Sequence, residues 1–107
     1  MYISLIVRVP FGERERWRRL HDFLDAVLAQ GHTVRQCFFQ GEAVLGATEL
    51  AAEPVWSAFA ERSGAELLLC SQAVEIHQAE PRAPFTVAGL GALTEAAVNS
   101  DRVISFV

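Results

Sequence analysis

A mostly parallel α/β sheet is the fold this chain predicts, and three observations point to it. Short apolar runs rich in β-branched residues recur along the sequence. Stretches with apolar residues at three- and four-residue spacing lie between them, and no repeat, linker or low-complexity segment divides the whole. Strand–crossover–strand units in one sheet are right-handed, so helices of this length cover both faces. The expected architecture is therefore a three-layer α/β/α sandwich with four or five strands, in a single domain spanning residues 1–107.

Tyr2 to Val9 is apolar and β-branched without a helical period, which reads as a strand buried on both faces, and Pro10-Phe11-Gly12 breaks it. From Glu13 to Gln30, Trp17, Leu20, Phe23, Leu24, Val27 and Leu28 form the stripe of an amphipathic helix, with Gly31 as its stop. His32 to Phe39 is a second strand and Gln40-Gly41-Glu42 a turn. Glu42 to Glu53 has no clear period and reads as a loop holding a short helical turn. Pro54 to Ser63 is a helix, with Pro in its first turn and Gly64 just beyond its end. Glu66 to Cys70 is the third strand, Ser71 to His77 a short helix and Gln78 to Pro84 a loop. Phe85-Thr86-Val87 adds a very short strand, Leu90 to Asn99 an Ala-rich helix, and Arg102 to Val107 a final strand.

Composition excludes several classes of function. With 51% hydrophobic and 21% charged residues the chain can build a core and is not a disordered segment. A net charge of −4 offers no basic field for a polyanion, so direct nucleic-acid binding is not expected. Arg14, Arg16, Arg18 and Arg19 are interleaved with Glu13, Glu15, Asp22 and Asp25, as on a solvated helix face. No apolar run reaches the roughly 18 residues of a membrane helix, and the first residues lack an export signal, so the expected location is the cytoplasm. Cys37 and Cys70 are then reduced thiols by default, too few and too far apart for a zinc site.

Cys70 closes the run Glu66-Leu67-Leu68-Leu69-Cys70 just before a helix-competent stretch, which places it where a buried strand meets a helix N-terminus. Free backbone N–H groups there stabilise negative charge and can activate a thiol; the alternative is a small apolar residue that packs. Position alone leaves both open. Parallel sheets collect ligands beyond the carboxyl ends of their strands, here the loops after Val9, Phe39 and Cys70. Cys37 lies mid-strand beside Phe38 and Phe39, where desolvation makes a thiol inert. Among the histidines only His77 lies near Cys70 in sequence, and it could serve as a base if its helix ended early; His21 and His32 are scattered. Ser71 is a turn or cap residue with a second role as a polar contact to the sulfur. Gly89-Leu90-Gly91 lacks the third glycine and the preceding long strand of a dinucleotide fingerprint, and reads as a turn opening a helix whose N–H groups could help hold an anion. Trp17, Trp56, Phe38 and Phe39 are more large aromatics than a domain of this size buries with ease, so some are expected to face a partner; Trp17 and Phe39 read as core, and Trp56 is equally suited to core or interface.

The segment from Pro84 to Phe106, with its phenylalanine, Gly89-Leu90-Gly91-Ala92-Leu93 turn, Ala-rich helix and Asp101-Arg102-Val103-Ile104 strand, resembles the C-terminal part of TusD/DsrE sulfurtransferase subunits of the DsrE/DsrF-like family. Upstream, Gly31-His32, Phe38-Phe39 and Val44 fit the same pattern, and the likeness covers essentially the whole chain. It implies that Cys70 is a sulfur-accepting cysteine that carries sulfur as a persulfide. Exchange at sulfur needs neither metal nor organic cofactor, and by position Ser71, His77, Gly89 and Gly91 are the residues that could support it. The implied pathway is tRNA 2-thiolation or sulfur oxidation. The implied partners are homologous subunits of the TusB/TusC or DsrF/DsrH type and a TusE/DsrC-like carrier, in a homo- or hetero-oligomer. The chain departs from the family in being shorter around Gly41 to Pro54 and Gln78 to Phe85, and in carrying Glu75, His77 and Glu80 where basic residues are common. Two rivals remain: a non-catalytic assembly subunit of the same fold with a packed Cys70, and a small-ligand module, against which the absence of a Gly-rich loop after Val9 counts.

Overall fold

In the computed structural model, which describes residues 1–107, each run read as a strand is one: β1 (Tyr2–Val7), β2 (Thr33–Phe39), β3 (Glu66–Cys70), β4 (Phe85–Ala88) and β5 (Arg102–Phe106). The helices are α1 (Arg14–Ala29), α2 (Ala43–Ala47), α3 (Glu53–Ser63), α4 (Ser71–His77) and α5 (Gly91–Asn99), with a 3₁₀ turn at Leu50–Ala52. The strands form one sheet in the order β4-β3-β2-β1-β5, and every pair is parallel. The stretch from Glu42 to Glu53 holds more structure than a loop. Ala43, Val44, Gly46 and Ala47 of α2 are all buried, so this helix has no polar face to give it a period.

The strand order decides where the helices go. From β1 to β4 the chain steps in one direction across the sheet, so right-handed crossovers place α1 to α4 on one face. The last crossover returns past β3, β2 and β1 to reach β5, which puts α5 on the opposite face. Side chains agree with this division. His21 of α1 meets Trp56 of α3 with ring centroids 4.5 Å apart, and Arg62 of α3 pairs with Asp25 of α1. On the other face Gln36 Nε2 donates to the Ala92 carbonyl at 3.2 Å, and the hydroxyls of Ser4 and Ser100 share a 2.6 Å hydrogen bond. The layers are unequal: four helices cover one face and one helix the other.

The core is built around an aromatic cluster that joins the sheet to the four-helix face. Phe39 of β2 stacks on Trp17 at 6.4 Å and meets Trp56 and Phe85 edge to face at 5.2 and 5.5 Å. Trp56 also lies edge-on to Phe59 at 5.9 Å. Each such pair contributes about 0.5–1.5 kcal/mol beyond its buried area. The core placement expected of Phe39 holds, and Trp56, equally suited to core or interface, goes to the core; Phe38, which points to the α5 face, is fully buried as well, and only Trp17 stays half-buried.

Trp17 explains a glycine. Its indole is held by a hydrogen bond from Nε1 to the Pro10 carbonyl at 3.1 Å, and a Cβ on Gly46 would lie 2.3 Å from its Cζ2 and 2.7 Å from its Cε2. Alanine is the better helix former by about 1 kcal/mol, but overpacking against a pinned ring costs roughly 1–3 kcal/mol. We therefore expect Gly46→Ala to lower the chemical-denaturation midpoint in spite of its propensity gain; an unchanged or raised midpoint would show that Trp17 is free to move.

His21 adds a pH dependence. Burial lowers its pKa below the ordinary 6.5, against the opposing pull of Asp25 and Asp22, while Arg62 adds to the lowering. The unfolded imidazole takes up its proton near pH 6.5 and the folded one resists until the pH is lower, so acid favours the unfolded chain. This contribution leaves stability intact above about pH 6.5 and erodes it as pH falls from there toward the folded-state value. The drop in Tm between about pH 7.5 and 5.5 is expected to be shallower in His21→Gln than in the wild type; equal drops would show that His21 is not the group responsible.

Candidate functional site

Cys70 is the last residue of β3 and the N-cap of α4, with φ −60° and ψ 123°, so the strand passes into the helix with no loop between them. The local sequence produces this abruptly. Leu67, Leu68 and Leu69 are buried on a central strand, and the polar Ser71 and Gln72 that follow are exposed as the first turn of α4. First-turn N–H groups of a helix have no partner within the helix, and Cys70 Sγ does not accept from them here. The thiol is nearly covered, at 6% exposure.

The topology gives this position its meaning. The Cα of Cys70 pairs with Ala88 at the carboxyl end of the β3–β4 ladder. From these neighbouring ends α4 leaves toward the four-helix face and α5 toward the opposite one, so the connections diverge there. Such a switch point is where open parallel sheets bind their ligands. Of the three strand ends expected to carry function, only that of β3 adjoins the divergence.

Gly89-Leu90-Gly91 starts one residue beyond Ala88, at the neighbouring strand end. All three residues are exposed, and a Cβ on either glycine would meet nothing within 4 Å. Neither crowding nor a left-handed backbone demands glycine there, and the Leu90 side chain between them is 52% exposed. His77 is not brought to the thiol. Helix α4 does not end early; it runs to His77 itself, which at 1.5 Å per residue lies about 10 Å along the axis from Cys70.

Cys37 is completely buried in β2, and burial alone pushes its thiol up to about 12. Its Cα pairs with Leu5 on one side and Leu67 on the other, far from any strand end. His21 lies on α1 against Trp56, and His32 just before β2. No group of three or more His, Cys, Asp or Glu side chains stands close enough to hold a metal ion. No helix is long and apolar enough to cross a membrane. The residues that sequence reasoning did not weigh as a site are those of a cleft between α1 and α3, among them Phe11, Arg14 and Glu49, which come together only in three dimensions.

Comparison with known proteins places the fold and the family. The model of the DsrE/DsrF-like family matches residues 1–106. "Sulfurtransferase TusD" of Serratia proteamaculans is 32% identical, with 95% of this chain and 96% of that protein aligned. "Sulfurtransferase TusD homolog" of Aliivibrio fischeri is also 32% identical, with 96% of each aligned. The Klebsiella pneumoniae (strain 342) "Sulfurtransferase TusD" is 29% identical over 99% of this chain and all of that protein. The first of these alignments runs over 124 positions against a chain of 107 residues, so the relative carries insertions. Among solved structures, the ychN protein of E. coli superposes with a TM-score of 0.76 over 99% of both chains at 14% identity, a likeness of fold. From the strand order, the matched residues and the full-length relatives, the chain belongs to the DsrE/DsrF-like family.

Proposed function

We propose that this chain is a cytoplasmic sulfur-relay subunit in which Cys70 accepts a sulfane sulfur and holds it as a persulfide. The observation that carries this reading is the place of Cys70: the end of β3, at the divergence of α4 and α5. The names of the curated relatives, sulfurtransferases of the TusD type, support it. The transfer is an exchange at sulfur. The Cys70 thiolate attacks the outer sulfur of a donor R–S–SH, the new bond gives Cys70–S–SH, and R–S⁻ leaves with the electron pair of the broken S–S bond. Reversal of the same step onto an acceptor thiolate empties the site, and neither direction needs a metal or an organic cofactor.

The surroundings divide the work. First-turn N–H groups of α4, beginning at Ser71, face the charge that forms on sulfur. A thiol at 6% exposure requires a donor or acceptor loop to come close, and at the neighbouring strand end the exposed Gly89 and Gly91 put no side chain in its way. His77, at the far end of α4, takes no part. The natural partners are homologous subunits of the TusB/TusC or DsrF/DsrH type and a TusE/DsrC-like carrier, in tRNA 2-thiolation or sulfur oxidation. The same low exposure favours the second reading, an assembly subunit in which Cys70 only packs.

Chemistry at the two cysteines separates the readings. Incubation with glutathione persulfide followed by intact-mass analysis is expected to add one sulfur atom to the wild type and none to Cys70→Ser; equal loading of both would remove the relay reading. Iodoacetamide under native conditions is expected to modify Cys70 much faster than Cys37, whose thiol is buried and protonated. Cys37→Ala should keep its persulfide loading and lose about 1 kcal/mol of stability through packing. Loss of loading in that variant would point to a two-thiol redox site instead.

Assembly provides an independent check. Light scattering at micromolar concentration is expected to report an oligomer, of this chain alone or with companion subunits. A strict monomer that ignores such companions would separate this chain from a multi-subunit relay.

A further inference from the structure

A cleft of about 560 Å³ opens between α1 and α3, in the range of small-molecule sites and away from Cys70. Phe11 and Val55 stand at its mouth, 46% and 48% exposed, and Trp17, His21 and Trp56 form its walls. Arg14 and Glu49 also line it, and their opposite charges leave no net field to select an anion or a cation.

One polar atom there is anomalous. Trp56 Nε1 is the single buried side-chain nitrogen or oxygen in the protein without a hydrogen-bond partner. The other indole on the cleft, that of Trp17, donates to the Pro10 carbonyl at 3.1 Å. Buried donors are almost always satisfied, and one that is not, in the wall of a cleft of ligand size, calls for an acceptor from outside the chain. The Trp56 nitrogen is shut off from solvent, so reaching it requires a neighbour to turn aside. The half-buried His21 ring lines the same cleft and lies 4.5 Å from the Trp56 ring.

We propose that this cleft binds a small, uncharged aromatic molecule that presents a hydrogen-bond acceptor, its ring among Phe11, Trp17 and Val55 and its acceptor on the Trp56 Nε1–H. An aromatic body suits walls made of two indoles and a phenyl ring, against which edge and face contacts are favourable. The acceptor satisfies the one donor that folding leaves unpaired. The site is independent of sulfur transfer, since neither Cys70 nor its neighbours line it.

Trp17 and Trp56 are the only tryptophans, so both indole N–H signals of the ¹⁵N-labelled protein report on the cleft. Isoquinoline serves as the probe, naphthalene as the same shape without an acceptor, and benzoate as an anionic acceptor. Isoquinoline is expected to move the Trp56 indole proton downfield and to bind about tenfold more tightly than naphthalene, the worth of one hydrogen bond that would otherwise go unmade. Benzoate is expected to bind more weakly than isoquinoline. Trp56→Phe should abolish the preference for isoquinoline over naphthalene. Val55→Arg, at the exposed mouth, should weaken isoquinoline binding about tenfold or more without lowering Tm, and it tests the site even if Trp56→Phe does not fold. No shift of either indole signal at millimolar isoquinoline would overturn the proposal. So would equal affinity for isoquinoline and naphthalene, tighter binding of benzoate, or binding that Val55→Arg leaves unchanged.

Discussion

The handedness of the crossovers is the constraint on which the rest of the structure depends. Once β1 to β4 step one way across the sheet and β5 lies beyond β1, right-handed connections leave no choice about which helix covers which face. That same choice separates α4 from α5 at the ends of β3 and β4. The divergence beside Cys70 is thus a consequence of chain topology, with no special loop needed to make it. A different last crossover, placing β5 beside β4, would keep all five helices on one face and close the divergence.

Unequal coverage of the sheet follows from the same order, and it shapes the packing. Four helices crowd one face, and a central aromatic cluster of Phe39, Trp56 and Phe85 fills the space beneath them. Such a layer must fit closely where helices meet, which is why α2 presents Gly46 to the Trp17 indole. Where the fit is incomplete, between α1 and α3, a cleft remains with an unpaired indole N–H beside it. On the other face the single helix α5 relies on polar ties, from Gln36 to Ala92 and between Ser4 and Ser100, because its small residues bury little surface.

Much of this was legible in the sequence where local signals were sharp. The boundary between β3 and α4 falls where the apolar run turns polar, at Cys70 and Ser71, and α1 could be read from its stripe of Leu20, Leu24 and Val27. The α2 helix was not legible as more than a turn. It is short, buried on all sides and interrupted by Gly46, so it shows neither a period nor a cap. The fate of Trp56 was open for a different reason: burial of a side chain on an amphipathic helix depends on what lies across from it, and Phe39 and Phe85 are distant in sequence. Strand order was also unspecified, so the sequence pointed to three strand ends as candidate sites where the topology selects one.

The two cysteines show how position decides chemistry when residue type does not. Both are buried, both lie in β-strands, and their strands are neighbours in the sheet. Cys37 has strand partners on both sides, Leu5 and Leu67, and burial holds its thiol protonated to about pH 12. Any charge on it would have to be sustained inside an apolar layer with no donor to meet it, which desolvation forbids. Cys70 is one residue beyond the last pair between β2 and β3, next to the first turn of a helix. Three residues along the strand separate Leu67, the Cα partner of Cys37, from Cys70, and over that distance a cysteine passes from the middle of the ladder to the strand end where, in the proposed relay, a charge on sulfur would meet first-turn N–H groups.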